Sequence, residues 1–162
     1  MKTYHATNNQ ELEEIIKGHG DYAGIFTTNN LYQAKNGDYG EYLYIVEFDN
    51  FCEKSDIRNF LESEEGLEFL NTHSRPNDQE QIDILSDCDL PSYDYYKDIV
   101  GIKGSKLDDM YFLDQKLRAL IAIKLGFDAV EENDGILVVN GKVTFLGHRK
   151  SEEVEAEIEE NW

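Results

Sequence analysis

Apolar and β-branched residues in the first fifty positions predict three short strands. Residues 2–6, KTYHA, make the first strand, and residues 24–28, GIFTT, make the second. Residues 41–48, EYLYIVEF, are rich in aromatic and β-branched side chains, which is typical of a strand. One helical turn at residues 31–35 separates the second strand from the third.

Helical spacing predicts two longer elements in the first seventy residues. Thr7 and Gln10 stand at capping-box spacing ahead of three apolar residues, which predicts a helix that ends at Gly18. Apolar residues then recur at helical intervals across residues 57–70, which predicts a second helix interrupted at Gly66.

The last fifty residues have the clearest pattern. Asp114 is placed to cap an amphipathic helix over residues 115–125, and Gly126 is placed to end it. Residues 127–132 and 136–139 then predict two strands.

A turn signal follows the second of these strands. Asn140-Gly141 predicts a tight hairpin with residues 142–146 as the returning strand. The acidic segment 151–162, SEEVEAEIEENW, predicts a frayed helix.

The order of the elements indicates the fold class. Neighbouring strands are separated by turns more often than by crossover helices, which favours an α+β fold with mixed, mostly antiparallel sheets. Residues 71–110 have no clear period, and they predict an irregular acidic insertion. We expect one domain over residues 1–150, followed by an acidic tail at 151–162.

The net charge of the chain limits the classes of partner that it can bind. The 162 residues carry 15 basic and 34 acidic side chains, a net charge of −19. Such a surface repels nucleic acid and anionic lipid, so direct binding to either is disfavoured, whereas a basic protein partner fits. The N-terminus has no apolar signal run and two cysteines make no disulfide scaffold, so we expect a soluble cytoplasmic protein.

The candidate chemistry is dispersed along the chain. His5 ends the first strand, and the four histidines and two cysteines lack the spacing of metal ligands, so no metal is expected. The block from Phe26 to Ala34, followed by GDYG at 37–40, combines hydroxyls with an aromatic ring. These residues indicate either a loop over core aromatics or the lining of a ligand cleft.

Two carboxylates near the end of a late strand are a third candidate. Glu132 and Asp134 lie on one face if the strand continues through both. A carboxylate there suits glycosyl transfer, whose transition state develops positive charge on a sugar. The competing interpretation is a solvated strand end, because 34 acids make chance pairs common.

The blocks occur in an informative order. A strand ending in YHAT precedes GIFTTNNLYQA and GDYGEYLYIVEF, and LGFDAVEEND, GILVVNG and KVTFLG follow late in the chain. Over residues 3–49 and 114–147 this order resembles the ADP-ribosyltransferase fold, in the branch with a histidine, aromatic residues and an acid. It is most similar to small phage-encoded anti-CRISPR ADP-ribosyltransferases that inactivate type I-F complexes.

The resemblance implies an NAD cleft with NAD as co-substrate. His5 would hydrogen-bond the adenosine ribose, with Thr7 and the backbone of Ala6 beside it. Phe26 and Thr27 would line the cleft.

The resemblance also implies a reacting side of the cleft. Tyr32 or Tyr39 would stack on nicotinamide, and a late acid, placed at Asp134 with Glu132 next, would stabilise the oxocarbenium-like state. The phage branch leads us to expect a glutamate after the acid, where this chain has Gly135. The arginine-specific Glu/Gln-x-Glu motif is matched only in spacing, so arginine is not the expected acceptor.

The function implied is NAD-dependent mono-ADP-ribosylation of a host protein, and the expected target is a DNA-binding CRISPR effector subunit in the bacterial cytoplasm. Two alternatives remain at this point. One is a non-enzymatic acidic protein that mimics DNA, which the charge of −19 motivates. The other is a toxin-type ADP-ribosyltransferase with another target.

Overall fold

The chain forms two small sheets with helices packed around them. The structure is a computed structural model that describes residues 1–88, 94–95, 106–133 and 135–160. Its elements, in chain order, are β1 (Lys2–Thr7), β2 (Ile25–Thr27), α1 (Leu31–Asn36), β3 (Tyr42–Glu47), β4 (Phe51–Cys52), α2 (Lys54–Leu61), α3 (Glu64–Thr72), α4 (Gln79–Asp87), α5 (Lys106–Leu125), β5 (Ala129–Glu132), β6 (Gly135–Val138), β7 (Lys142–His148) and α6 (Glu152–Glu160).

The two sheets meet at β1 and β2. One sheet has the order β1-β3-β7 and the other the order β2-β6-β5-β4. Among the described strands, every pair is antiparallel except β4 and β5. An isolated bridge joins the sheets, in which Tyr4 N donates to Thr28 O at 2.7 Å and Thr28 N donates to Tyr4 O at 2.9 Å. The predicted α+β fold with mostly antiparallel sheets is confirmed.

The predicted hairpin at Asn140-Gly141 is wrong. After β6 the chain crosses to the other sheet, where β7 pairs with β3 and not with β6. Glycine is required at this crossing by a close approach, since a β-carbon on Gly141 would lie 2.7 Å from the carbonyl oxygen of Glu47. The turn signal therefore reflects the approach of two backbones and not a tight reversal.

The helix predicted from Thr7 to Gly18 is absent, and beyond the end of β1 this segment combines turns with irregular backbone. Side chains take the backbone donors that a helix would use. Thr7 Oγ1 accepts from Asn9 N at 3.2 Å, and Asn9 Oδ1 accepts from Glu11 N at 3.0 Å. Such local bonds compete with helix formation. Tyr44 adds to them, because its hydroxyl donates to Asn9 O.

The helix predicted over residues 57–70 is two helices. The break falls before Ser63, whose hydroxyl caps α3 by accepting from Gly66 N at 3.1 Å. Gly66 lies inside α3, where a β-carbon would overlap the backbone of Phe60 and Leu61. This glycine therefore allows α3 to pack closely on α2 and does not interrupt a helix.

The described part of the acidic middle is more regular than predicted. It contains the end of α3, all of α4 and the start of α5. Asp114 lies within α5 and caps nothing; it is buried, and its carboxylate pairs with Arg75 Nη2 at 2.9 Å. The helix therefore runs through Asp114 and begins at Lys106 and not at residue 115, so the predicted cap is wrong.

The C-terminal acidic segment forms α6, which packs on the outside of the β1-β3-β7 sheet. Val154 is fully buried beside Tyr4 and Leu43. The Tyr4 hydroxyl donates to Glu157 at 2.9 Å, and Lys2 pairs with the same carboxylate. Across the described ranges, no helix combines the length and the apolar character needed to span a membrane.

Candidate functional site

A cavity of about 280 Å³ opens where the two sheets meet. Its volume is close to the lower end of the range typical of small-molecule pockets. Strand ends, the loop before β3 and one face of α5 contribute to its walls. The lining residues are Tyr4, His5, Ala6, Phe26, Thr27, Thr28, Gln33, Ala34, Tyr39, Tyr111, Phe112 and Gln115.

The tautomer of the neutral His5 ring is fixed by a backbone carbonyl. Its Nδ1 lies 2.6 Å from the carbonyl oxygen of Phe26. Because a carbonyl can only accept, Nδ1 carries the proton and donates. Burial lowers the pKa of His5 below its ordinary value of 6.5, and the bond to Phe26 offsets part of this effect. The neutral ring therefore offers Nε2 as an acceptor in the wall of the cavity.

The residues around Phe26 form the facing wall. Thr27 is buried, and its hydroxyl donates to Ile136 O at 3.0 Å, which fixes β2 against β6. Thr28 Oγ1 lies 3.2 Å from Gln33 Oε1 and can donate to it. These bonds hold a row of hydroxyls and backbone groups along one side of the cavity.

Gly135 lies directly against this wall. A β-carbon on it would be 2.5 Å from the carbonyl oxygen of Thr27, an overlap with backbone that a small shift does not relieve. This contact gives a physical reason for glycine where the resemblance led us to expect glutamate. Asp134, the acid favoured by the sequence, lies outside the described residues.

Glu132 is engaged by an arginine. Arg118 Nε donates to Oε1 at 2.7 Å and Nη2 donates to Oε2 at 2.6 Å, and both side chains are fully buried. Bidentate geometry of this kind is specific and strong. Glu132 is absent from the lining of the cavity. Its carboxylate links the end of β5 to α5.

The two candidate tyrosines have different surroundings. Tyr39 lines the cavity, and its ring covers Gly37, where a β-carbon would overlap it. Tyr32 lies on α1 and lines a separate groove with Lys2 and Ile158. The structure therefore brings Tyr39, and not Tyr32, together with His5.

Of the two remaining predicted residues, one lines the cavity and the other does not. Ala6 lines the cavity beside His5. Thr7 is at the end of β1, where its hydroxyl accepts from Asn9 and its backbone packs against Gly40; it is not among the lining residues.

Sequence reasoning missed the wall made by α5. Tyr111, Phe112 and Gln115 line the cavity at helical spacing, and Gln33 contributes from α1. The signal existed as aromatic residues three and four positions before Gln115. The sequence pattern places the start of this helix at residue 115, so these two aromatic residues fall outside the predicted helix.

The cavity lies between two small, mostly antiparallel sheets and is walled by a histidine, hydroxyls and aromatic rings. The resemblance to ADP-ribosyltransferases implies a cleft of this kind. The family model described as anti-CRISPR type I-F ADP-ribosyltransferase AcrIF11 matches residues 1–145, and the chain belongs to this family. The resemblance drawn from the order of the sequence blocks is confirmed.

One solved structure extends the comparison. It is titled as the crystal structure of an anti-CRISPR protein, is 20% identical in sequence and superposes with a TM-score of 0.63. The alignment covers 90% of this chain and 94% of that one, so the two share a fold along nearly their whole length. No curated protein matches the chain.

Family membership establishes the type of reaction. The chain is an NAD-dependent ADP-ribosyltransferase of the anti-CRISPR type, with NAD as its co-substrate and a protein as its target.

Proposed function

We propose that the cavity binds NAD and that the enzyme transfers one ADP-ribosyl unit to a DNA-reading subunit of a type I CRISPR effector in the host cytoplasm. The observation that carries the NAD assignment is the bond from His5 Nδ1 to Phe26 O. It leaves Nε2 as an acceptor in the cavity wall, which suits a ribose hydroxyl.

The other proposed NAD contacts surround His5. The backbone of Ala6 flanks the adenosine ribose in this assignment, with Thr7 next to it outside the cavity lining, while Phe26 and Thr27 form the opposite wall. Two phosphates must then be held by an acidic protein. The described lining residues include no lysine or arginine, and the side-chain amides of Gln33 and Gln115 are uncharged donors that fit this need.

Tyr39 is the proposed stacking partner for nicotinamide. It lines the cavity, whereas Tyr32 lines a separate groove. Stacking orients the glycosidic bond and holds the leaving group in place.

Asp134 is the proposed catalytic carboxylate, and Glu132 is a positioning residue. Both oxygens of Glu132 already accept from Arg118. Position 134 directly precedes Gly135, which packs against Thr27 in the cavity wall. That connection supports Asp134 as the acid that meets the nicotinamide ribose.

The reaction follows from these roles. The C1′–N bond of NAD breaks and neutral nicotinamide leaves with the electron pair. The carboxylate stabilises the positive charge on the ribose, and a nucleophilic atom of the target bonds to C1′ and loses its proton. NAD supplies its own leaving group, so the proposed mechanism includes no metal.

The choice of target rests on charge. A net charge of −19 favours docking on a basic, DNA-binding surface. An ADP-ribosyl unit adds two phosphates there, and these repel the DNA backbone.

The test is intact-protein mass spectrometry of a purified type I-F effector complex after incubation with the enzyme and NAD, followed by whole bacterial lysate. We expect one subunit to gain one ADP-ribosyl unit. Asp134→Asn should abolish the gain, and Asp21→Asn, which removes an exposed acid, should not. Label found only on a lysate protein would assign a different target.

An acidic DNA mimic is the second candidate, because the net charge of −19 would suit it. A mimic would inhibit at one copy per complex, with strong dependence on salt, and would leave NAD unconsumed. Inhibition that requires NAD excludes this candidate.

A further inference from the structure

Gln115 places a buried amide in the wall of the cavity. The residue lies on α5, is 4% exposed and lines the cavity. Among the described residues, none forms a hydrogen bond with its side-chain amide. A buried polar group without a partner costs free energy unless water or a ligand satisfies it. This amide is therefore a candidate contact for whatever fills the cavity.

The Gln115 amide is open to the cavity. Gln81 on α4 shows the alternative, because both of its amide atoms are sealed from solvent without a hydrogen-bond partner. Neither amide atom of Gln115 is sealed in this way. Since the residue as a whole is buried and lines the cavity, its amide is reached by way of the cavity.

The two glutamines of the cavity wall offer different bonds. The oxygen of Gln33 is 3.2 Å from the Thr28 hydroxyl, which can donate to it, so the free end of Gln33 is a donor that suits a phosphate. Gln115 has both ends free. A phosphate would use its nitrogen only, because phosphate oxygens accept, and would leave its oxygen buried and unpaired. A ligand group with an adjacent donor and acceptor satisfies both ends of Gln115.

NAD has two such groups, the carboxamide of nicotinamide and the N6/N7 edge of adenine. Position favours the carboxamide. Gln115 precedes Arg118 by three residues, so the two side chains are neighbours on one face of α5. Arg118 binds Glu132 at the end of β5, two residues before the proposed acid Asp134. Gln115 therefore lies toward the side of the cavity where the nicotinamide ribose reacts.

We propose that Gln115 is a specificity-determining residue that recognises the carboxamide of nicotinamide. Its Nε2 donates to the carboxamide oxygen, and its Oε1 accepts from the carboxamide nitrogen. Tyr39, the proposed stacking partner, covers a face of the nicotinamide ring and leaves the edge of the ring to Gln115. This inference rests on the proposed function, because it requires NAD in the cavity.

A carboxylate in place of the carboxamide provides the test. Nicotinic acid adenine dinucleotide differs from NAD in this group alone, and its carboxylate has acceptors but no donor. Oε1 of Gln115 would then face a carboxylate oxygen. Arg118 does not compensate, since its guanidinium is already paired with Glu132. A site that hydrogen-bonds its ligand rejects an analogue that leaves buried polar groups unpaired.

The experiment measures three ligands by calorimetry, in wild type and in Gln115→Leu, Gln115→Glu and Gln33→Leu. The ligands are NAD, nicotinic acid adenine dinucleotide and nicotinamide hypoxanthine dinucleotide, in which a carbonyl oxygen replaces the N6 amine of adenine. Gln33→Leu is the matched control, because it removes the other glutamine of the cavity lining. Urea unfolding checks that each variant is folded.

Gln115→Leu should lower the preference for NAD over the nicotinic acid analogue about tenfold, and should keep the wild-type preference for NAD over the hypoxanthine analogue. Gln115→Glu should bind the nicotinic acid analogue more weakly than wild type does, because two carboxylates repel each other. Gln33→Leu should weaken all three ligands to the same degree.

Three results would overturn the assignment. The first is an unchanged preference between NAD and the nicotinic acid analogue in Gln115→Leu. The second is a changed preference against the hypoxanthine analogue in that variant, which would assign Gln115 to adenine. The third is wild-type affinity of Gln115→Glu for the nicotinic acid analogue. Failure of the proposed function has a different signature, in which the wild-type enzyme binds none of the three dinucleotides.

Discussion

His5 and Phe26 are joined across the line where the two sheets meet, by a hydrogen bond of 2.6 Å from Nδ1 to a carbonyl oxygen. This single contact fixes the position of the imidazole ring and its tautomer. It also connects β1 to β2 at the cavity, one residue from Tyr4 and two residues from Thr28, which form the backbone bridge between the sheets.

Affinity for NAD should depend on pH through His5. Because burial lowers the pKa of the folded-state histidine below 6.5, the ring is neutral above that pH and Nε2 can accept a hydrogen bond. Affinity should be constant above pH 6.5 and should fall at lower pH as the ring is protonated. Folding stability should fall in the same range, since the unfolded chain binds the proton more readily. Calorimetry and urea unfolding from pH 5 to 8 measure both effects.

His5→Ala should weaken NAD binding about fivefold, the value of one hydrogen bond of about 1 kcal/mol. The pH dependence of binding should disappear with the ring. A variant that keeps the wild-type pH profile would show that another group titrates.

Glu132 and Asp134 should respond differently to substitution. Glu132→Ala leaves Arg118 buried without its partner, so we expect a loss of about 3–5 kcal/mol in the free energy of unfolding. Asp134→Ala should abolish transfer while leaving urea unfolding unchanged. An active Asp134→Ala and a well-folded, inactive Glu132→Ala would place the catalytic acid at Glu132 instead.

The double variant Arg118→Met, Glu132→Leu provides the control for the buried pair. It replaces both charges with apolar side chains, which often restores the stability lost in the single variant. Recovered stability together with retained transfer would show that Glu132 has no direct part in the reaction.

The two tyrosines can be separated by matched substitutions. Tyr39→Leu should weaken NAD binding about fivefold through the lost ring stacking, and Tyr32→Leu should leave it unchanged. Gly37→Ala should resemble Tyr39→Leu, because its added methyl group displaces the Tyr39 ring while the φ of −73° at this residue suits alanine. Equal effects of the two leucine variants would refute the assignment to Tyr39.

Helix α6 should stabilise the cavity through its contact with Tyr4 on β1. Tyr4 lines the cavity on one side and donates to Glu157 on the other. Val154→Ala removes fully buried methyl groups and should cost about 2 kcal/mol of unfolding free energy. Glu159→Ala, at an exposed position of the same helix, should cost far less. Urea unfolding compares the two variants.

Local elements could be predicted from the sequence because their signals are local. The strand at Tyr42–Glu47 and the short helix at Leu31–Asn36 follow from their own residues, and both are confirmed. The pairing of β7 with β3 could not be predicted in the same way. It depends on contacts between residues about a hundred positions apart, and Asn140-Gly141 indicated a nearer partner.

The candidate site also has a part that could be predicted from local sequence and a part that could not. Cavity residues near the ends of β1 and β2 could be predicted, because a histidine and hydroxyls occur there at the ends of apolar strands. The wall from α5 was missed because Asp114 resembled a helix cap, whereas its burial against Arg75 allows the helix to extend through it. A charge in a buried ion pair interrupts the apolar pattern without interrupting the helix.

The crossing at Asn140-Gly141 also sets an order of assembly during translation. The strand β3 has β1 available early, but its other edge stays uncovered until residues 142–148 have left the ribosome. The opposite sheet likewise receives β5 and β6 only shortly before. A nascent chain therefore exposes two unfinished sheet edges through most of its synthesis, and the cavity between them takes shape in its final stage.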